Sequence, residues 1–428
     1  MEFQLKLRGK GVWRTGPKKG QILLSRRRIY SDAKVTLSKN MKLKYGCNPH
    51  QKVAEATFID EDNKPFEVLN GKVGYINLLD ALNAWQLVDE VKKSIGIVAA
   101  TSFKHVSPAG AAIGIPLTDE LKQCYGFPGE DLSPAASAYL RARGADPSSS
   151  FGDFIGLSDT VDLDTAKILS KVVSDGIIAP DYEPEALEIL KAKKKGGFIV
   201  LKANTDYQPQ DVETRNLYGL ELKQSRSDVL VVKDVHLKEI VSKNKAISED
   251  VLRDLILGLV TIKYTQSNSV GYVLNGQMIG IGAGQQSRVD CTKLAGRKVD
   301  TWFLRQHPKV LGLTFKQGIK RQDAINWRLR YVEGDLTATE QKMFDDALEA
   351  PVAAFTSEEK KAWLAELKEV GFVSDAFIPF RDNIDHATRR GVKYIAHTGG
   401  SLRDDLVTEA ADEYDMVMIH TGIRLFHH

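Results

Sequence analysis

The stretch Ile97-Val-Ala-Ala-Thr-Ser-Phe103, which leads into Lys104-His105, indicates the fold of this chain. Its residues are apolar or small without interruption, as in a strand that is buried on both faces of a sheet. Just upstream, apolar residues recur at helical spacing between residues 75 and 91. Strands and helices alternate in this way along the rest of the sequence. We therefore expect a layered α/β fold.

Two Asn-Gly pairs predict β-hairpins, because this dipeptide readily adopts the positive φ angles of a type I′ turn. They are Asn70-Gly71 and Asn275-Gly276, each preceded by Val-Leu. The repeated Val-Leu-Asn-Gly string, about half a chain apart, suggests a duplicated unit. The polar stretch at residues 203–215 is the best candidate for a linker. We accordingly predict two units, residues 41–210 and 211–428.

Composition narrows the class of protein. Of the 428 residues, 43% are hydrophobic and 27% are charged, which is typical of globular chains and excludes a mainly disordered one. No apolar run approaches the roughly 20 residues that span a bilayer. The three cysteines are widely spaced and include no CxxC pair, so a disulfide framework is not expected. A reducing compartment, the cytoplasm, is the predicted location.

The first forty residues differ in charge from the rest. They hold eleven Lys or Arg and two acidic residues, a net charge of +9, whereas the remaining residues are net −6. Such a segment could be an organelle transit peptide, a nucleic-acid-binding arm, or a non-native or mis-assigned leader before a start at Met41. Because Met41 directly precedes the first recognisable motif, we favour a non-native or disordered leader. Neither a nucleic-acid nor a membrane partner is expected.

Lys104 and His105 are the first candidates for chemistry. They follow the predicted buried strand, and ligands of open α/β sheets bind at the carboxyl ends of strands. A histidine there can act as a general base near neutral pH, and a neighbouring lysine can stabilise developing negative charge. From these two residues alone, a structural histidine beside a solvated lysine is the more common interpretation.

Other polar clusters have similarly open interpretations. Residues 265–269 read Thr-Gln-Ser-Asn-Ser and could bind an amide or a cation, or simply cap a helix. The glycine-rich segment at 280–288 is neither a dinucleotide fingerprint nor a nucleotide triphosphate loop. Phe377 to Asn383 mixes aromatic rings with a carboxylate, which suits a flat heterocycle, and Arg424 suits a phosphate. The remaining histidines have no spacing typical of a metal site.

Taken together, these segments resemble one family, the transformylase part of the bifunctional purine-biosynthesis proteins. That family formylates 5-aminoimidazole-4-carboxamide ribonucleotide (AICAR). The similarity covers residues 41–428 in family order. The matching strings begin at Lys44 (KYGCNPHQ), Ser102 (SFKHVSPAG), Ser149 (SSFGD), Ser174 (SDGIIAP), Lys263 (KYTQSNS), Gly282 (GAGQQSR), Ser374 (SDAF), Pro379 (PFRDN) and Arg424 (RLFHH).

The resemblance implies a fold of duplicated, cytidine-deaminase-like units, each a three-layer α/β/α sandwich. It also implies a homodimer with active sites at the subunit interface. The substrates would be AICAR and 10-formyltetrahydrofolate. The implied catalytic residues are Lys104, His105 and Asn268. The implied nucleotide-binding residues are Lys44, Tyr45, Gly152, Asp175, Phe377 and Arg424.

Two further sets follow from the same resemblance. Folate would contact Arg288, Asp382, Ser401 and Leu402. A potassium ion (K⁺) would lie among Thr265, Ser267, Ser269, Asp375 and Leu425. In the implied reaction, His105 takes a proton from the substrate amine, while Lys104 stabilises the tetrahedral oxyanion and helps to protonate folate N10.

This sequence departs from the family pattern in three places. Lys44 stands where arginine is usual, which keeps the charge but loses the bidentate fork. The loop Thr398-Gly-Gly-Ser401 lacks the usual proline. The upstream cyclohydrolase domain is absent, so we expect formylation without ring closure and a separate inosine monophosphate (IMP) cyclohydrolase as a partner. The alternative function is a non-catalytic sensor that binds AICAR or folate.

Overall fold

The computed structural model describes residues 41–428. The predicted basic leader, residues 1–40, lies outside the described residues. No helix in the described part of the chain is long and apolar enough to cross a membrane.

The first half of the described chain alternates strands and helices. The strands are β1 (Met41–Lys42), β2 (Glu55–Ala56), β3 (Phe66–Asn70), β4 (Ala99–Lys104), β5 (Ser107–Ile113), β6 (Asp153–Leu157), β7 (Ser174–Ala179) and β8 (Ile199–Ala203). The helices are α1 (Tyr75–Ile95), α2 (Asp119–Tyr125), α3 (Pro134–Ala145), α4 (Leu163–Ser170) and α5 (Pro184–Ala192), followed by a 3₁₀ turn (Lys193–Gly196). The predicted helix at 75–91 and the predicted strand at 97–103 are confirmed.

An exposed hairpin, β9 (Val212–Leu217) and β10 (Leu220–Ser225), separates the two halves. The later strands are β11 (Glu239–Ile240), β12 (Val270–Leu274), β13 (Gln277–Gly282), β14 (Val370–Ser374), β15 (Val392–His397) and β16 (Val417–His420). The later helices are α6 (Lys233–His236), α7 (Glu249–Lys263), α8 (Arg288–Leu304), α9 (Pro308–Leu311), α10 (Arg321–Glu333), α11 (Ala338–Ala347), α12 (Ser357–Leu364), α13 (Asp382–Ala387) and α14 (Asp404–Glu413), with a 3₁₀ turn at Thr388–Arg390.

Twelve of these strands form one mixed sheet in the order β11-β16-β15-β14-β12-β13-β5-β4-β6-β7-β8-β3. The halves meet where β13 pairs with β5, at Gln277 and Ala112. Counted outward from this junction, both halves have the same strand directions. The first two pairings are antiparallel, the next two are parallel, and the edge strand is again antiparallel.

Helices cover both faces of this sheet. Neighbouring residues of β6 show the two faces, because Phe154 packs in one buried cluster with α1 and α7, whereas Ile155 packs in another with α3, α4 and α5. A third cluster joins α8, α13 and α14 to the second half. Continuous apolar strands such as β4 are therefore explained by burial on both sides.

One predicted hairpin is confirmed and the other is wrong. Asn275 and Gly276 have φ angles of 48° and 70° and connect β12 to β13 directly. Asn70, in contrast, ends β3, which pairs with the distant β8, and the chain then enters α1. The Asn70 side chain donates to the carbonyl of Phe198 at 2.7 Å. A long-range strand partner has thus replaced the local turn.

The candidate site lies along one edge of the large sheet, by which we mean the row of strand ends where β4 stops and not an outer strand. Strand β4 ends at Lys104, opposite Ser107 at the start of β5, and β6 begins beside it at Asp153. The second half reaches the same edge through the turn before β12, since the Gln266 backbone N–H donates to the Ser107 hydroxyl at 3.3 Å. Strands β14, β15 and β16 end on this side as well.

Candidate active site

Six predicted residues from the first half line one cavity of about 1000 Å³. They comprise both members of the predicted catalytic pair and four of the predicted nucleotide-binding residues. These six residues are Lys44, Tyr45, Lys104, His105, Gly152 and Asp175. The fold thus brings together residues that are up to 131 positions apart in the chain.

Gly152 holds Lys104 in place. The Lys104 ammonium donates to the Gly152 carbonyl at 2.8 Å. Gly152 has a φ of 72°, and a Cβ added there would lie 3.1 Å from the lysine nitrogen. Glycine therefore meets two requirements at this position, a left-handed backbone and room for the ammonium group.

A tight turn presents His105. Both His105 and Val106 have positive φ angles, 53° and 59°, which are uncommon for these residue types. The Val106 backbone N–H donates to the Asp80 carboxylate at 2.7 Å, so a side chain of α1 supports the turn. The His105 side chain stays exposed, while Lys104 is half-buried. The backbone turn thus determines where the imidazole lies, and the ring remains accessible to a substrate.

Asp80 is a site residue that the sequence analysis missed. It is 5% exposed and lines the same cavity as Lys104. Burial raises the pKa of its carboxyl, and the Val106 N–H and the charges of His105 and Lys104 partly oppose this rise. The sequence signal that could have found it is an acidic residue among the apolar positions that α1 buries.

Asp175 also has a partner that the sequence did not indicate. Its carboxylate lies 2.5 Å from the Lys194 ammonium, which belongs to the 3₁₀ turn before β8. Both side chains are about two-fifths exposed (42% and 40%), so the pair is solvated and contributes little to stability. Its effect is to add a cation beside the predicted nucleotide contacts.

Asn268, Arg288 and Asp375 form a separate, buried network. The Arg288 guanidinium donates to Asp375 at 2.6 Å and to the Asn268 side-chain oxygen at 2.8 Å. The Asn268 amide nitrogen donates to the Gln285 carbonyl at 2.9 Å. Arg288 is only 8% exposed, because its guanidinium points into the protein. This arrangement fixes the orientation of the Asn268 amide.

Three of the five residues predicted to bind potassium, Ser269, Asp375 and Leu425, are joined by hydrogen bonds. The Asp375 carboxylate accepts from the backbone N–H and the hydroxyl of Ser269, at 2.9 and 3.1 Å. The Asp375 carbonyl accepts from the Leu425 N–H at 2.7 Å. The oxygens here are hydroxyl, carbonyl and carboxylate groups, the hard ligands that alkali and alkaline-earth cations prefer. Arg288 already balances the carboxylate, which favours a monovalent over a divalent ion.

The other predicted residues lie on the same side of the sheet but outside both clusters. Within residues 41–428, no hydrogen bond or ion pair connects them to Lys104 or His105. Phe377 and Leu402 are 44% and 103% exposed, and the Arg424 guanidinium lies over the Phe426 ring. These residues are Phe377, Asp382, Ser401, Leu402 and Arg424.

A protein-family model described as AICARFT/IMPCHase bienzyme matches residues 19–298 of this chain. The chain belongs to the AICARFT/IMPCHase bienzyme family. The matched range includes the residues of the Lys104 cavity and, from the network, Asn268 and Arg288, but it ends before Asp375; it begins inside the basic segment at residues 1–40.

Curated members of the family agree over a longer stretch. The bifunctional purine biosynthesis protein PurH of Elusimicrobium minutum is 31% identical over 400 residues, 92% of this chain and 59% of the relative. PurH of Clostridium acetobutylicum is 32% identical over 398 residues, 92% and 60% respectively. PurH of Aquifex aeolicus is 30% identical over 395 residues, with the same coverage. The chain thus spans about three-fifths of the length of these family members.

Proposed function

We propose that this chain transfers the formyl group of 10-formyltetrahydrofolate to the 5-amino group of AICAR. The observation that carries the proposal is the placement of Lys104 and His105 together in a large cavity that other implied nucleotide contacts also line. Membership of the AICARFT/IMPCHase bienzyme family supports the substrate class. The products would be formyl-AICAR and tetrahydrofolate.

The substrate amine needs help to react. Its lone pair is delocalised toward the ring carboxamide, so it is a poor nucleophile for the formyl carbon. The exposed His105 imidazole, acting with the substrate carboxamide, would remove the amine proton as the bond to carbon forms. Asp80 would act as a positioning residue, because it holds the turn that presents His105.

Lys104 would act on the other side of the tetrahedral intermediate. Its ammonium carries the charge that stabilises the oxyanion, and it would help to protonate folate N10 as that nitrogen leaves. The bond to the Gly152 carbonyl holds one of its three N–H donors, which leaves two for the reacting atoms. Asn268, oriented by Arg288, would complete the catalytic centre.

Binding of the two substrates follows from the positions of the remaining residues. Lys44, Tyr45, Gly152 and Asp175 would hold the ribonucleotide inside the cavity. We assign its phosphate to Lys44 and Arg424, and its ring to Phe377. Folate would contact Asp382, Ser401 and Leu402. Arg288, whose guanidinium points into the protein, would act on folate indirectly by orienting Asn268. Among these residues, Phe377 and Leu402 have exposed side chains, which fits a homodimer whose interface completes each site.

A potassium ion would be held by Thr265, Ser267, Ser269, Asp375 and Leu425. When bound, it would supply a fixed positive charge that keeps the turn before β12 against the chain at Asp375 and Leu425. Two features support this assignment: the ligand atoms are all oxygens, and the Arg288–Asp375 ion pair has zero net charge.

The repeated strand order supports a duplicated origin. We infer that residues 41–210 and 211–428 are two cytidine-deaminase-like α/β/α units joined in one sheet. We also propose that residues 41–428 catalyse formylation alone in the cytoplasm, and that a separate cyclohydrolase closes the purine ring.

The decisive experiment mixes the purified chain with AICAR and 10-formyltetrahydrofolate and follows tetrahydrofolate release optically, with and without potassium. Formyl-AICAR accumulating without inosine monophosphate is the expected result. Inosine monophosphate would show a ring-closing activity and contradict the monofunctional proposal. Binding of AICAR without any turnover would contradict the proposed enzymatic function and favour the alternative, a non-catalytic sensor of AICAR or folate.

A further inference from the structure

A second cluster of polar side chains lies at the far end of the same sheet edge, away from the Lys104 cavity. His397, Asp404 and His420 each offer one ligand atom, and these atoms lie within 4.8 Å of one another. His397 is fully buried, and the other two are half-buried. Within residues 41–428, the Nε2 atoms of both histidines and the Oδ1 atom of Asp404 are buried without a hydrogen-bond partner.

The sheet topology brings the three residues together. Strands β15 and β16 run in parallel, and their last residues, His397 and His420, are direct neighbours in the register. Their rings meet edge to face, with centroids 4.7 Å apart. Asp404 begins α14, the helix that connects these two strands. The spacing along the chain gave no sign of this group.

The Asp404 carboxylate is oriented by the loop before it. Its Oδ2 atom accepts from the backbone N–H groups of Gly400 and Ser401, at 2.6 and 3.1 Å. Oδ1 makes no hydrogen bond within residues 41–428 and so is available as a ligand atom. Gly399 lets the loop approach closely, since a Cβ there would lie 2.7 Å from the His420 ring.

Three buried polar atoms without partners, all close to one point, need an explanation, because buried polar groups are nearly always satisfied. We propose that His397, Asp404 and His420 bind a Zn²⁺ ion. Two imidazole nitrogens and one carboxylate oxygen form a zinc ligand set that leaves a fourth position open. Zinc bonds of about 2.0–2.2 Å place tetrahedral ligand atoms roughly 3.3 Å apart, so the largest separation in the group must shrink by up to about 1.5 Å.

The hydrogen bonds of His397 show what zinc binding requires. Its Nδ1 atom accepts from the backbone N–H groups of Ile378 and Gly399, both at 3.3 Å. The ring proton is therefore on Nε2. Zinc at Nε2 moves that proton to Nδ1, and the two long contacts must open. Most zinc-bound histidines instead donate their other N–H to an acceptor, so we expect an affinity weaker than that of such sites.

Zinc binding would consequently be coupled to the loop at residues 398–403. The Gly399 peptide has to turn away from Nδ1, and the glycine backbone at 399 and 400, with φ angles of 73° and 87°, allows such movement. Ser401 and Leu402, assigned above to the folate, belong to this loop. The zinc site itself depends only on the three ligands, not on the proposed reaction.

The test uses the full chain, stripped of metal with a chelator and titrated with Zn²⁺. Bound zinc is measured by mass spectrometry after gel filtration, and Co²⁺ replaces zinc to give a visible ligand-field spectrum. We expect one zinc per chain, a higher melting temperature with zinc, and a cobalt spectrum typical of four- or five-coordination. His420→Asn and Asp404→Asn should each weaken binding at least tenfold.

Two matched variants control for other histidines. His386→Asn removes a half-buried histidine elsewhere, and His428→Asn breaks the adjacent pair at the C-terminus, a possible adventitious site. Both should bind zinc like the wild type. The proposal fails if the wild-type chain stays zinc-free, or if His420→Asn and Asp404→Asn, with unchanged circular dichroism, keep the wild-type affinity. It also fails if His428→Asn alone abolishes binding.

Discussion

The Lys104 cavity and the Asn268 network lie at the same sheet edge but differ in how they are built. In the cavity, His105 is exposed and the Lys104 ammonium donates to a backbone carbonyl. In the network, Arg288 is buried and bonds to both Asp375 and Asn268. The first region has groups free for chemistry, whereas the second uses its bonds to hold a side chain in position. Substitutions in the cavity should therefore mainly lower turnover, whereas substitutions in the network should mainly lower stability.

The largest expected effect is on turnover in the cavity. His105→Ala removes the proposed base and should lower kcat by roughly 10²–10⁴-fold. Lys104→Ala should cost at least about 10²-fold, as for other groups that stabilise an oxyanion. Because both side chains reach solvent, the free energy of unfolding should stay near the wild-type value. Steady-state kinetics, AICAR binding and urea unfolding check this, and wild-type turnover in both variants would disprove the mechanism.

The next largest effect is on stability in the network. Arg288→Met leaves the Asp375 carboxylate buried without its cation, which should cost about 3–5 kcal/mol in the free energy of unfolding. The control is Arg381→Met, which breaks ion pairs to Asp385 and Glu413 whose side chains are solvated. That variant should lose less than about 1 kcal/mol. Equal losses in the two variants would show that burial does not distinguish these ion pairs.

Gly152→Ala sharpens the comparison, since it combines backbone strain with contact to Lys104, a proposed catalytic residue. A left-handed alanine costs roughly 1–2 kcal/mol. The matched control is Gly129→Ala, where φ is 70° and nothing lies within 4 Å of an added Cβ. Both variants should lose similar stability in denaturant titrations. Only Gly152→Ala should also lower kcat, because its Cβ crowds the Lys104 ammonium. A matching loss of kcat in Gly129→Ala would contradict this.

The smallest expected effect concerns Asp80. Burial raises its folded-state pKa above the ordinary value of 3.8. The folded chain thus keeps this proton longer than the unfolded chain, so the contribution is most favourable below the unfolded pKa and is lost as pH rises through the folded pKa. Asp80→Asn removes that titration but keeps an acceptor for the Val106 N–H.

The measurement for Asp80 is the free energy of unfolding between about pH 4 and 7, a range that begins near the ordinary pKa of an aspartate. The difference between wild type and Asp80→Asn should become less favourable to the wild type as pH rises. Asp89→Asn, on the same helix but in a partly exposed ion pair with Lys93, is the control. A difference for Asp80→Asn that is flat with pH, or that grows in favour of the wild type, would contradict a raised pKa for this carboxyl.

Local sequence signals predicted several elements correctly. Asn275-Gly276 makes its predicted hairpin, and the helical spacing at residues 75–91 predicts α1 correctly. These signals succeed because the partners lie within a few residues of each other. Asn70-Gly71 carries the same dipeptide and fails, since β3 finds its partner in β8. The roles of the implied site residues stay predictions, although the fold places many of them in two clusters.

By itself, the sequence determined the alternation of strands and helices, the burial of β4 on both faces, and the family to which the chain belongs. Those features depend on periodicity, turn chemistry and motifs that are read over short stretches. Only the tertiary structure decided that Asp80 supports the His105 turn, that Arg288 faces inward, and that His397, Asp404 and His420 converge. The physical reason is that strand pairing and helix packing join residues far apart in the chain, and no local pattern records which residues will meet.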